Sequence, residues 1–179
     1  MIEYFDILDE QGHKTGKTKA RSEVHRDGDW HKAVHIWIVN DKDEILLQKR
    51  SPNKDSHPNM WDISSAGHLT AGDDSLSGAI REIKEELGVD ILPSQLTLIG
   101  TRKSSSKPKA TFINNEFNDV YLLQLSLNLD KIILQEDEVS EVKYIPIDEF
   151  RHMIKTEDET LLMHNDEFEM LFKALGYKL

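Results

Sequence analysis

The segment from Gly67 to Val89, GHLTAGDDSLSGAIREIKEELGV, constrains the fold of this chain more than any other. Apolar residues recur in it at helical spacing, which predicts an amphipathic helix from about residue 74 to residue 87. Either Asp73 or Asp74 can cap the start of this helix, and Gly88 can end it. The apolar stripe consists of Leu76, Ala79, Ile80, Ile83 and Leu87.

Three acidic residues of this helix carry the first functional signal. Glu82, Glu85 and Glu86 are spaced i, i+3 and i+4, so their carboxylates share one face of the helix. Clustered acids repel one another unless a cation neutralises them, and oxygen atoms are the ligands that Mg²⁺ and Mn²⁺ prefer. Taken alone, such a charge run is more often a solvated helix face. The glycines and the arginine at fixed offsets favour a metal site, and metals held in this way commonly meet phosphate oxygens.

The composition is that of an ordinary globular protein in which acidic residues outnumber basic ones. Its 179 residues suffice for one domain with a real core. The net charge of −11 argues against nucleic-acid binding, and a phosphate site would need metal ions or local basic residues to overcome that field. We find no membrane span and no signal-peptide pattern. The absence of cysteine excludes disulfides and thiolate catalysis and suits a cytoplasmic protein.

Strand and helix patterns alternate along the chain. We predict strands at 2–8, 31–39, 45–50, 61–67, 95–103, 109–128 and 141–147, with 31–50 forming a hairpin and a bend near Asn114 and Asn115. We place a turn at 9–16, a short helix within 17–28, and two closing helices at 147–154 and 159–175. This order predicts an α+β fold, an α/β/α sandwich in which helices flank a mixed sheet.

The same segment resembles the Nudix box, the signature of the Nudix hydrolase superfamily. The matching residues are Gly67, Arg81, Glu82, Ile83, Glu85, Glu86, Gly88 and Val89. The resemblance implies a mixed sheet flanked by helices, with the box as a loop-helix-loop. It also implies that Glu82, Glu85 and Glu86, helped by the Gly67 carbonyl, hold Mg²⁺ or Mn²⁺, with Arg81 in the catalytic set. Asp73 stands where the family has a glutamate, and because aspartate is one methylene shorter, we interpret it as a helix cap or as an acid outside the direct metal ligands.

Beyond the box, the chain looks most like the branch that contains type I isopentenyl diphosphate isomerase and its non-isomerase relatives. That resemblance implies a second metal site formed by His25, His31, His68 and Asp119. Ala66 stands where the isomerases carry their catalytic cysteine, and we match Phe117 to one of their acids. The missing thiol argues against isomerase activity.

Two further sets of residues are candidates for the site. The resemblance implies that Arg50 and Lys54 contact the diphosphate, and Arg102 and Lys103 are weaker candidates of the same kind. The general base stays open between Glu86, Glu116 and Asp119. We expect structural roles for His35 and His57, and packing roles for Trp30, Trp37 and Trp61.

The expected protein is a Nudix hydrolase that cleaves a phosphoanhydride bond in a small diphosphate compound, with Mg²⁺ or Mn²⁺ as cofactor. The alternatives are an isopentenyl diphosphate isomerase and a ligand-sensing Nudix module without turnover. We expect one domain over 1–179, with an N-terminal strand and extension (1–30), a core (31–150) and a C-terminal helix (151–179). The apolar face of that helix can pack on the core or on a second subunit, so a homodimer stays open.

Overall fold

The computed structural model describes residues 2–54 and 56–179, and within them one mixed sheet carries four α-helices. The strands are β1 (Tyr4–Leu8), β2 (Lys14–Ala20), β3 (Trp30–Val39), β4 (Glu44–Arg50), β5 (Trp61–Asp62), β6 (Ser65–His68), β7 (Leu96–Lys109), β8 (Phe112–Gln124) and β9 (Val139–Pro146). The helices are α1 (Arg21–Asp27), α2 (Ser75–Leu87), α3 (Ile147–Lys155) and α4 (Asn165–Ala174). The predicted α+β class is confirmed.

Strand β3 is the centre of the sheet. It pairs antiparallel with β1, β4 and β6, and parallel with β8 from Trp30 opposite Asn115 to Val39 opposite Gln124. Strand β8 also forms a long hairpin with β7, and β4 pairs with both β5 and β9. Strand β3 is buried along most of its length, in agreement with the mostly apolar sequence of its second half.

Side chains of β3 alternate between two apolar cores. Val34, Ile36 and Ile38 pack with α2, whereas Trp37 and Val39 pack with α3 and α4. Strand β8 alternates in the same way, since Tyr121 and Leu123 join the α2 core while Val120 and Leu122 join the α3–α4 core. The sheet therefore separates two faces, and the position of a residue along β3 or β8 decides which face it serves.

Several predicted boundaries were wrong at the N-terminal end. Residues 14–20 form strand β2 beside β1, so the predicted turn ends at residue 13 and the predicted helix begins only at Arg21. This exposed strand consists of small and charged residues, so it lacks the alternation of apolar and polar residues by which a strand is predicted from sequence. Gly28 ends α1 as expected, with a φ of 72° and its N–H bonded to the Val24 carbonyl.

Other boundaries moved because tertiary pairing overrides local pattern. The predicted strand at 61–67 is two short strands, β5 and β6, which pair with β4 and β3. The bend expected near Asn114 and Asn115 is absent, because both residues pair with β7 and the chain turns at residues 110–111 instead. The last helix starts at Asn165, since Leu161 bridges to Trp61 in extended form.

Helix α4 packs on the core of its own chain through aromatic contacts. The Phe168 ring is fully buried, 5.2 Å from the Phe150 ring and 5.8 Å from the Trp37 ring between centroids. Leu171 and Phe172 are buried beside it. Of the two packing modes left open for this helix, the structure shows the intramolecular one.

We predict that Phe168→Ala lowers the free energy of unfolding by about 3–5 kcal/mol, because it leaves a cavity between two aromatic rings. Urea denaturation checks this. The matched control is Glu169→Ala on the exposed side of the same helix, which should stay within about 0.5 kcal/mol of wild type. Equal stability of the two variants would contradict the packing of α4.

Candidate active site

Helix α2 presents its acidic face toward strand β6. The Asp74 side chain caps the helix by accepting from the Ser77 N–H at 3.0 Å, and Gly88 ends it with a φ of 70°. The predicted helix is confirmed, with Asp74 rather than Asp73 as its cap. Glu82 and Glu86 are buried, whereas the side chain of Glu85 is 50% exposed.

Gly67 is required by the close approach of Glu82. A Cβ atom built at residue 67 would collide with the Glu82 carboxyl group, so only glycine lets β6 and α2 come this near. This contact brings the Glu82 carboxylate against the backbone of Gly67, as the metal interpretation requires.

Two donors on β6 hold the deeper carboxylate. Oε2 of Glu86 accepts hydrogen bonds from Ser65 Oγ at 2.6 Å and from the Ala66 N–H at 3.1 Å. Burial, which outweighs these bonds, raises the pKa of Glu86 to about 8. Burial likewise raises the pKa of Glu82 to about 7, against the opposing effect of Arg81. Both carboxylates thus sit where a further cation would stabilise their charged form.

Arg81 ties the acidic face together. Its Nη1 lies 2.7 Å from Glu82 Oε1 and donates to Glu85 Oε2 at 2.9 Å, a contact that residues at i and i+4 of a helix can make. Its Nη2 donates to the His68 carbonyl at 3.0 Å and lies 3.6 Å from Asp73 Oδ2. Asp73 therefore contacts the arginine rather than the glutamates, which fits the outer role anticipated for it.

Three histidines distant in sequence form a pocket on the other side of β6. The ring centroids of His25, His31 and His68 are 5.0–5.3 Å apart. The Nδ1 atoms of His25 and His31 lie 3.3 and 3.0 Å from the carbonyls of Ile113 and Asp29. In the described residues, Nε2 of His25 and of His31 has no hydrogen-bond partner. This arrangement orients both rings through Nδ1 and leaves their Nε2 atoms without a hydrogen bond.

Burial is the main reason that these rings are neutral. It lowers the pKa of His25 to about 4 and that of His31 to about 4, and a neighbouring histidine adds to the effect in each case. A neutral imidazole is the form that binds a metal.

The prediction that Asp119 completes this pocket was wrong, because Asp119 does not reach the histidines. Asp119 accepts from Thr101 Oγ1 at 2.8 Å and pairs with Lys32 Nζ at 2.8 Å on the α2 face of the sheet. Glu116 faces the pocket instead, with Oε1 3.0 Å from His68 Nε2. The two acids are three residues apart on β8, so they point to opposite faces of the strand. Only one of the two acids can therefore face the histidines, and the register of β8 on β3 decides that it is Glu116.

A cavity of about 770 Å³ joins most of the predicted residues. Its walls include Gly67, His68, Arg81, Glu82, Glu85, Glu86, Arg50, Lys54, Arg102, Lys103, Glu116 and His164. His25, His31 and Asp119 are not among the described residues that line it. Of the three candidates for the general base, Glu86 and Glu116 therefore border the cavity.

The two basic residues predicted to contact substrate already have protein partners. Arg50 donates to Asp62 Oδ2 at 2.9 Å and to the Ser56 carbonyl, so it also holds the loop after β4. Lys54 forms an ion pair with Glu138, and both residues line the cavity. Arg50 is thereby pre-positioned, and Lys54 can exchange its partner for a ligand oxygen.

A largely buried ionic network, four of whose residues also line the cavity, was not predicted from the sequence. Glu167 of α4 is fully buried, and its oxygens lie 2.8 and 3.0 Å from His35 Nδ1. Arg102 Nη1 donates to the same carboxylate at 3.0 Å, and His164 Nε2 lies 2.8 Å from Asp62 Oδ1. These residues come from four separate segments of the chain, so no local sequence pattern predicts the network.

The family model of the NUDIX domain matches residues 29–164. The chain belongs to the Nudix family. The matched range contains the whole Gly67–Val89 box, so the predicted family is confirmed.

Nudix proteins similar to this chain include hydrolases and isomerases. It is 48% identical to Nudix hydrolase 3 of Arabidopsis thaliana over 97% of its own length, but spans only 23% of that protein. It is 39% identical to an uncharacterized Nudix hydrolase of Clostridium acetobutylicum, covering 85% of this chain and 74% of the other. It is 28% identical to an isopentenyl-diphosphate Delta-isomerase of Escherichia coli, covering 79% of this chain and 76% of the isomerase. The prediction of a Nudix hydrolase with isomerase-like features agrees with these relatives.

The fold of this Nudix chain has close counterparts among solved structures. It matches the crystal structure of DR0079 from Deinococcus radiodurans with a TM-score of 0.68 at 20% identity, over 96% of this chain and 98% of the other. This similarity concerns the fold and confirms its class. Across the described ranges, no helix has the length and hydropathy needed to cross a membrane.

We predict that the buried network weakens in acid. Burial opposes ionisation of Glu167, but His35 and its other partners prevail and lower the pKa of this carboxyl to about 2 from its ordinary 4.5. Its contribution to stability is therefore complete above about pH 4.5 and is lost as pH falls toward 2.

The measurement is the free energy of unfolding against pH for wild type and Glu167→Gln. The difference between them should shrink below pH 4.5 by up to about 1.4 kcal/mol per pH unit. Glu169→Gln, an exposed neighbour on α4, should follow wild type. A constant difference from pH 7 to pH 2.5 would show that the Glu167 charge does not stabilise the fold.

Proposed function

We propose that this Nudix domain hydrolyses a phosphoanhydride bond in a small diphosphate compound, such as a nucleoside diphosphate or a diphosphate-linked metabolite, with Mg²⁺ or Mn²⁺. The observation that carries this proposal is the position of three carboxylates in the wall of one large cavity. Glu82 lies against the backbone of Gly67, Glu86 accepts hydrogen bonds from Ser65 and Ala66 on the same strand, and Glu85 borders the same cavity. We also keep the cytoplasmic location as a proposal from the composition.

The residues present fit a hard divalent cation. Glu82, Glu85, Glu86 and the Gly67 carbonyl offer only oxygen ligands. Burial raises the pKa of Glu82 and Glu86, so a cation bound beside them would stabilise their charged forms. A cation held there would neutralise charge on phosphoryl oxygens and lower the pKa of its bound water.

The chain itself supplies orientation and charge balance. Arg81 fixes Glu82 and Glu85, while Ser65 fixes Glu86, so the acids are held before any ligand enters. Arg50 and Lys54 are proposed to contact the diphosphate, because they border the same cavity and offset its acidic wall.

The histidine pocket is proposed as a second metal site. His25, His31 and His68, together with Glu116, form three imidazoles and one carboxylate, a set that suits Mn²⁺ or Zn²⁺. The unpaired Nε2 atoms of His25 and His31 support this proposal, since buried ring nitrogens are otherwise hydrogen-bonded.

Two other functions are disfavoured by particular residues. Isomerase activity would need the thiol that the isomerase branch carries at position 66, and this chain has Ala66 there and no cysteine anywhere. A sensing module without turnover would not need the complete acidic face, yet Glu82, Glu85, Glu86 and Arg81 are all present and connected.

We predict that Glu86→Gln reduces turnover by about a hundredfold or more, because it removes a charged ligand while an amide of equal size keeps the packing. Phosphate release from a panel of nucleotide and isoprenoid diphosphates, with and without Mg²⁺, provides the measurement. Glu169→Gln on the far helix is the matched control and should retain wild-type rates. Undiminished turnover in the Glu86 variant would remove this residue from the mechanism.

A second prediction separates hydrolase from isomerase. Incubated with isopentenyl diphosphate in deuterated water, the protein should exchange no carbon-bound hydrogen with solvent, because position 66 offers no thiol to move a proton. Mass spectrometry of the recovered compound checks this. Deuterium incorporation would favour the isomerase, whereas binding without exchange or phosphate release across the whole panel would favour the sensing module.

A further inference from the structure

The Glu116 carboxylate directs its two oxygens to different partners. Oε1 lies 3.0 Å from His68 Nε2 and 3.8 Å from His31 Nε2. Oε2 accepts a hydrogen bond of 3.0 Å from Asn118 Nδ2. The residue is buried, so the donor on Oε2 determines which oxygen is presented to the histidines.

Asn118 is fully buried, and each of its polar atoms has a partner. Its Nδ2 faces Glu116 Oε2 and lies 3.1 Å from His35 Nε2, while its Oδ1 accepts from Ser104 Oγ at 3.0 Å. The reverse orientation of the amide would place a carbonyl oxygen against a carboxylate, so this orientation is set by its neighbours. Glu116 and Asn118 share a face of β8 because they are two residues apart.

His35 extends the connection to the C-terminal helix. One ring nitrogen faces Asn118, and the other lies within 3.0 Å of both oxygens of Glu167. Glu167 is itself held by Arg102. The ring cannot turn without losing contacts at both ends. A continuous series of buried groups thus runs from α4 to the histidine pocket.

We propose that Asn118 is a positioning residue for the histidine pocket, orienting Glu116 toward a bound divalent cation, and that His35, anchored on Glu167, holds the Asn118 amide in place. This rests on the second metal site proposed above. It assigns to helix α4 a role in metal affinity, although none of its residues belongs to the pocket.

The test measures metal affinity rather than turnover. The apoprotein is titrated with Mn²⁺, and free Mn²⁺ is followed by electron paramagnetic resonance. If a Mn²⁺ site is lost in both His68→Ala and Glu116→Gln, that site is assigned to the histidine pocket. If both variants keep the wild-type stoichiometry and affinity, the second metal site is refuted, and the role of Asn118 falls with it.

Two replacements of His35 separate positioning from scaffolding. An asparagine amide reaches the place of Nδ1 and can still meet Glu167, whereas a glutamine amide reaches the place of Nε2 and can still accept from Asn118. Both remove any ring charge equally. Positioning predicts that His35→Asn weakens Mn²⁺ binding in the pocket by about 10–100-fold, while His35→Gln stays near wild type. Equal affinities in the two variants, or the reverse order, would refute the positioning role alone.

Two adjacent serines give a milder pair should either His35 variant fail to fold. Ser104 donates to Asn118 Oδ1, whereas Ser105 donates to Asn115 Oδ1 at 2.6 Å instead. Ser104→Ala should weaken Mn²⁺ binding in the pocket about two- to tenfold, the worth of one hydrogen bond, and Ser105→Ala should not. Identical affinities in these two variants would overturn the proposal.

Discussion

The contact between helix α2 and strand β6 is the interaction on which the site depends. It brings a helix face that carries three carboxylates against a backbone with no side chain at Gly67. The apolar stripe of α2 packs on β3 and β4 and provides the stabilising free energy for this approach. Glu82 and Glu86 are buried as a consequence, at a cost in solvation that a bound cation would offset.

The alternation of β3 and β8 then distributes function between the two faces of the sheet. Even-numbered residues of β3 serve the core under α2, and odd-numbered ones serve the side covered by α3 and α4. On β8 the assignment is opposite, so Glu116 and Asn118 share a face with His31 and His35, and Asp119 does not. A single parallel register thus assembles the histidine pocket and connects it to α4.

The box helix, its cap region and its terminating glycine could be predicted because they depend on local spacing. The acidic cluster was equally visible, since i, i+3 and i+4 positions share a helix face whatever surrounds them. Strand β2 was missed because an exposed, charged strand has no apolar alternation. The acid of the histidine pocket was misassigned because the resemblance indicated Asp119, whereas the register between β3 and β8, which selects Glu116, cannot be read from the sequence.

The sequence by itself determined the family, the acidic helix of the box and the absence of a catalytic thiol, because each is a matter of residue type at short spacing. Only the tertiary structure decided which acid joins His25, His31 and His68, and that Glu167 reaches His35 across 132 positions of chain. Such contacts are set by sheet register and by the docking of α4. Both depend on the packing of the whole core, and no window of neighbouring residues contains that information.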